Sequence, residues 1–278
     1  MPAFFCGNVV KNFTKKQQTR FAIQIQGESV KNLKIHFVLF VTLLLSCSDN
    51  QKNGDGLIEE KTTKSSFWVG DTSGNIHGID ISHHQKEIDW KKVKENGVSF
   101  VFVKATEGVD YLDSMFVENW EDLQKENIIR GAYHFYVSDD DPIQQAEWFV
   151  KNAVNFAGVL PPVMDVERAG HNHVTPEQYR INLIKCLNHL EQLTGLMPII
   201  YSSPNFAKKY LAGEEFGKYN LWIAEYGVEK PVVPEAWQKP GWDFWQNTYQ
   251  DEIPGVQEKV DRNIFKGKFH HLLDMVNQ

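Results

Sequence analysis

Between residues 76 and 211, short apolar runs alternate with helical stretches, and this rhythm restricts the fold more than any other feature of the chain. Residues 77–82 read as a strand that ends in polar side chains. A helix follows over residues 88–97, with Asp89 as its N-cap and Gly97 at its stop. Residues 99–106 form a second strand, too apolar to face water on either side, as in parallel sheets covered by helices. A helix over residues 114–126 leads to strand three at 129–136. Asp141-Pro142-Ile143-Gln144 has the form of an N-cap, a proline at the first helical position and a glutamine closing a capping box. Strand four covers 161–168. Thr175-Pro176-Glu177-Gln178 then repeats the start signal, opening a helix with Leu183, Leu187, Leu190 and Leu193 on or near one face and Gly195 at its end. Strand five is 197–202, with a short helix over 206–211.

Beyond this point the helices stop. Residues 220–225, 243–247 and 260–264 read as three strands joined by loops rich in proline and glycine. Five βα units followed by three strands with few helices make eight strands, enough to close a modified TIM-like α/β barrel over residues 76–278. Asp80, Lys104, Tyr133, Asp165, Glu167, Tyr201, Glu225, Gln246 and Asp261 fall at the C-terminal ends of those strands, where barrel enzymes assemble their sites. A doubly wound open sheet is the competitor. It would need a glycine-rich phosphate turn after strand one, which is absent, and helices in the last third.

A formal net charge of -7 without a basic stripe excludes a nucleic-acid partner. Cys6, Cys47 and Cys186 show no zinc-ligand spacing, so no metal or other cofactor is expected, and Cys186, inside a helical pattern, reads as a buried thiol. Cys47 differs. Lys31-Asn32-Leu33-Lys34 precedes an apolar run over 35–45, which has the layout of a secretory signal and is too short to span a membrane comfortably. The run ends in Leu44-Leu45-Ser46-Cys47, which resembles the bacterial lipobox and implies lipidation of Cys47. Residues 1–47 are therefore expected to be a lipoprotein-type signal segment, and 48–75 a polar tether. Translation is expected to start near Val30, with 1–29 a start-site misassignment. The expected location is the cell envelope, with the exported chain held to a membrane by lipid.

The strand-four stretch Pro161-Pro162-Val163-Met164-Asp165-Val166-Glu167-Arg168 carries two carboxylates separated by one valine. In an extended strand Asp165 and Glu167 point to one side and Met164 and Val166 to the other, with the two acidic Cα atoms roughly 6.5 Å apart. Acids held side by side cannot both ionise freely, and glycoside cleavage uses such an unequal pair. A strand cap that salt-bridges to Arg168 or a lysine would leave the same pattern.

Gly78-Ile79-Asp80-Ile81-Ser82, Phe102-Val103-Lys104-Ala105-Thr106-Glu107-Gly108, Gly131-Ala132-Tyr133-His134-Phe135, Met164-Asp165-Val166-Glu167, Ile200-Tyr201-Ser202, Leu221-Trp222-Ile223-Ala224, Phe244-Trp245-Gln246 and Val260-Asp261-Arg262-Asn263 follow one another in order. Together they make the chain resemble the glycoside hydrolase family 25 lysozymes, the Chalaropsis-type N-acetylmuramidases, over about residues 76–268. The resemblance implies metal-free cleavage of the β-1,4 bond between N-acetylmuramic acid and N-acetylglucosamine in peptidoglycan glycan strands. It implies Glu167 as general acid, Asp165 as its partner, and Asp80 and Asp261 as further acids of the cleft. Tyr133 and Tyr201 resemble sugar-contacting aromatics, and Lys104 and Gln246 polar members of the same pocket. Trp222 is either a further contact or core, and His134 is expected to be a satisfied core histidine.

Two motifs depart from the family pattern. Arg262 stands where an apolar residue is usual, and alternation points it away from Asp261; His83-His84 replaces the usual His-aromatic pair. Two routes stay open after protonation by Glu167. In one, the substrate's 2-acetamido group attacks with Asp165 orienting it, the route favoured here; in the other, Asp261 or Asp80 activates water. A chitinase-like glycosidase and a non-catalytic glycan-binding lipoprotein are the rival functions. A monomer is expected.

Overall fold

The structure, a computed structural model, describes residues 76–153, 156–170 and 174–276. The signal segment, the tether and Cys47 lie outside the described residues. The elements are β1 (Ile76–Ile81), α1 (Trp90–Glu95), β2 (Phe100–Glu107), β3 (Tyr111–Leu112), α2 (Phe116–Lys125), β4 (Ile129–Phe135) and α3 (Pro142–Asn152). They continue with β5 (Val163–Asp165), α4 (Pro176–Thr194), β6 (Ile199–Ser202), α5 (Pro204–Tyr210), β7 (Asn220–Ala224), β8 (Phe244–Asp251), β9 (Val260–Phe265) and α6 (Phe269–Val276).

Eight strands close a ring in the order β1-β9-β8-β7-β6-β5-β4-β2, sealed by the parallel β1–β2 pair. The five βα units lie where the sequence puts them, and the barrel is the fold expected. One feature of its last third is corrected: β9 runs antiparallel to both β8 and β1. Asp261 therefore sits near the start of its strand instead of at the C-terminal end, and reversal of the strand brings it to the same mouth, paired in register with Asp80. The short β3 folds back on the end of β2, pairing Glu107 with Tyr111.

Period-two alternation divides the apolar residues between two layers. Phe100 and Phe102 of β2 pack inside the ring with Trp222, Phe244 and Phe265, whereas Val101 and Val103 face the helices. Inside, the Phe102 ring stacks on Trp222 at 4.3 Å between centroids and meets Phe244 edge-on at 5.1 Å. Gly78 and Gly131 make room for these rings. A Cβ at Gly78 would lie 2.5 Å from Phe100, and one at Gly131 would lie 2.8 Å from the Phe102 ring. α6 was not anticipated; it follows the end of β9 and adds Leu272 and Met275 to the interior cluster, at the end of the barrel opposite the mouth.

The caps follow the sequence in part. Asp89 accepts from the Lys92 N–H, Asp141 from those of Ile143 and Gln144, and Thr175 from that of Gln178. Gln178 does not close a box; its amide donates one turn onward to Asn182 Oδ1 at 2.9 Å. A reciprocal box forms instead at Ser82 and Gln85. Leu193 is 43% exposed, because ten helical positions after Leu183 the rotation has carried it off the buried stripe, which Tyr179 and Cys186 complete. Cys186 is buried, as expected.

Candidate active site

Regular pairing in strand four ends at Asp165, so Glu167 lies just beyond β5, not within it as the sequence suggests. The chain nonetheless stays close to extended. The Tyr136 N–H donates to the Asp165 carbonyl and the Val166 N–H to that of Tyr201, each at 2.9 Å. Met164 and Val166 consequently face the helix layer, fully buried, while Asp165 and Glu167 both open on one cleft at the barrel mouth. Asp80 and Asp261, from the adjacent ends of β1 and β9, complete the acidic floor. The enclosed part of the cleft measures about 240 Å³.

Tyr133, Tyr201, Trp222 and Gln246 also line this cleft, as the sequence suggests. Lys104 does not. It forms an ion pair with Glu107 at 2.7 Å and lies 5.0 Å over the Phe135 ring. Glu225 is turned to the following loop, where it accepts from the Val232 N–H at 2.6 Å. Arg262 pairs with Asp251 and stays off the acids. Tyr226 and Tyr249, which line the cleft, carry no expectation from the sequence, and Asn263, matched there only as part of its motif, holds the floor. Asn263 was legible as two residues from Asp261 on the same strand; Tyr249 has no signal short of the β8–β9 register.

A hydrogen-bond chain fixes Asp80. Gln246 Nε2 donates to its Oδ1 and Oδ2 at 2.9 and 3.0 Å, and Asn263 Nδ2 donates to Oδ1 at 2.7 Å. The amides are oriented in turn. Tyr201 and Tyr226 hydroxyls donate to Gln246 Oε1 at 2.9 and 2.5 Å, and the Trp222 indole N–H donates to Asn263 Oδ1 at 2.8 Å. Trp222 is 2% exposed, so most of it is barrel packing. His134 is fully buried between Thr106 and Gln145, and burial lowers its pKa to about 4, so it stays neutral as a core residue.

All four carboxyl groups hold protons more tightly than ordinary carboxylic acids. Burial raises Asp80 well above the usual range, the charge of Asp261 adds to this, and the Gln246 and Asn263 donors offset part of it. Burial is also the main cause at Asp261, with the Asp80 hydrogen bond pulling it down and the Glu167 charge pushing it up. Two carboxyls this close titrate as a pair, the ionisation of one bearing on that of the other. Asp165, raised well above the usual range by burial and then by Glu167, also has Oδ1 buried without a donor among the described residues. Glu167 is raised chiefly by the protein around it, with Arg168 opposing and Asp80 adding, although cleft solvent reaches its side chain. Burial and the missing donor act on Asp165, whereas cleft solvent reaches Glu167, so the two acids sit in unequal surroundings.

The geometry is that of a polar cleft on which four carboxyl groups converge. The family model of the glycosyl hydrolases family 25 matches residues 79–256. Protein YegX of Escherichia coli (strain K12) is 34% identical to the chain over 210 residues, which cover 74% of this chain and 75% of that protein. Lysozyme M1 of Streptomyces globisporus is 34% identical over 221 residues, covering 74% and 73%. The crystal structure of the lysozyme from Streptomyces coelicolor superimposes with a TM-score of 0.70 at 34% identity, covering 74% of this chain and 99% of that one. Five βα units, an antiparallel closing strand and an acid-lined mouth thus coincide with a family match over most of the barrel. The chain belongs to glycosyl hydrolase family 25 and is a glycoside hydrolase of the muramidase type.

Proposed function

We propose that the protein cleaves the β-1,4 bond between N-acetylmuramic acid and N-acetylglucosamine in peptidoglycan, with Glu167 as general acid and Asp165 orienting the substrate's acetamido group. The observation that carries this reading is the convergence of Asp165 and Glu167 on one cleft with unequal access to solvent. A bound sugar changes the surroundings of both acids. Covering Glu167 removes its solvent and raises its pKa further, while an acetamido N–H donated to Asp165 stabilises that carboxylate. Glu167 then protonates the leaving glycosidic oxygen as the acetamido oxygen attacks the anomeric carbon, and water opens the resulting ring with Glu167 as base. Asp80 and Asp261, side by side in the same cleft, are held ready for the sugar hydroxyls.

Glu167→Gln tests the assignment. The variant should lose at least about a hundredfold in clearing of cell walls while still binding them; equal clearing by both proteins rules Glu167 out. NMR of the first-formed anomer should show retention, and inversion would transfer the second role to a water-activating Asp261 or Asp80.

Lipidation of Cys47 and attachment to the cell envelope rest on the Leu44-Leu45-Ser46-Cys47 motif behind its apolar run. Cys47→Ala should move the protein from the membrane to the soluble fraction. We also infer a monomer, for which sedimentation should give a single species of one chain, no heavier than the 32.1 kDa of the full sequence.

A further inference from the structure

Most aromatic side chains of the cleft are packed away, but Tyr226 and Tyr249 are not: they are 42% and 53% exposed. Their ring centroids lie 5.0 Å apart, and both rings line the cleft that holds the carboxylates. They come from different elements. Tyr226 follows β7, and Tyr249 stands near the end of β8, where the ladder to β9 slips between Gln246 and Thr248 and again between Thr248 and Asp251. Slips of this kind re-aim side chains beside active sites. Tyr226 is also tethered, since its hydroxyl donates to Gln246 Oε1. Two large rings side by side in water, one of them already fixed, contribute nothing to a core and lose little freedom on binding.

We propose that Tyr226 and Tyr249 form a stacking platform for one further N-acetylhexosamine ring of the glycan, beyond the sugars at the carboxylates; this rests on the glycan-cleaving function proposed above. The platform carries no charge, and its exposed faces suit the C–H face of a pyranose whose hydroxyl and acetamido groups stay in water. It is continuous with the catalytic cleft, so a strand bound at the acids passes over it. Because Tyr226 also orients Gln246, and Gln246 orients Asp80, a sugar on the platform bears on the alignment of the acidic floor.

Calorimetry with the β-1,4 tetramer of N-acetylglucosamine and with soluble, uncrosslinked glycan strands tests the proposal. Glu167→Gln protein serves as the parent, so that turnover does not intrude. Tyr249→Ala should weaken binding about tenfold and Tyr249→Phe less than about twofold. Phe269→Ala removes an exposed ring from α6 at the far end of the barrel and should change nothing. Equal affinity of Tyr249→Ala and parent, or no binding of either saccharide, overturns the platform. Wild-type protein that clears walls while Tyr249→Ala binds like the parent sinks the platform and leaves the hydrolase standing. Tyr249-dependent binding by a protein that cleaves nothing does the opposite.

Discussion

Asp165 and Glu167 stand two residues apart, yet only Glu167 is open to solvent, and that difference sets how each titrates. The folded state holds a proton on Asp165 at pH values where the unfolded chain, near pKa 3.9, has released it. The charge therefore costs nothing below about pH 4, and stability falls as pH rises from there through the raised folded value. Asp165→Asn should raise stability at pH 7 by on the order of 1 kcal/mol, with the gain vanishing below about pH 4 in thermal melts; a gain independent of pH would contradict the buried charge. Asp80 behaves differently, because Gln246 and Asn263 donate to it, and an asparagine would set amide hydrogens against amide hydrogens. The two-residue spacing of the strand-four acids was enough to place both on one side. Their unequal surroundings were not legible, because burial depends on side chains distant in sequence. Lys104 shows the same limit: it meets Glu107 across the register slip between Lys104 and Thr106, which no local pattern announces.

The barrel's elements were readable because each βα unit carries its own period and its own caps, such as Asp89, Asp141 and Thr175. What escaped was long-range. The direction of β9 shows in no pattern within Val260–Phe265, and α6 shows its purpose only once the interior it covers is known. That packing predicts the cost of two substitutions. Leu272→Ala should destabilise the barrel by about 2–4 kcal/mol in denaturant titrations, as expected for a fully buried leucine. Gly78→Ala should cost at least about 1–3 kcal/mol, because the new methyl meets the Phe100 ring and the rigid Phe100 carbonyl. A near-neutral result for either would mean that the barrel interior is looser than these contacts require.

At the scale of the molecule, a closed barrel holds four carboxyls at one mouth and raises the pKa of each, which is what the acid catalysis proposed for Glu167 requires. Wall clearing should therefore persist unchanged in excess chelator. It should fall on the alkaline side at a pH above the usual glutamate range, where Glu167 loses its proton; a limb near pH 4 would mean that the acid is unshifted. The most direct measurement is mass spectrometry of purified peptidoglycan after digestion, reading which sugar carries each new reducing end. N-acetylmuramic acid at every new end, absent with Glu167→Gln, is the predicted result. N-acetylglucosamine at those ends, or the same products from the variant, would contradict it.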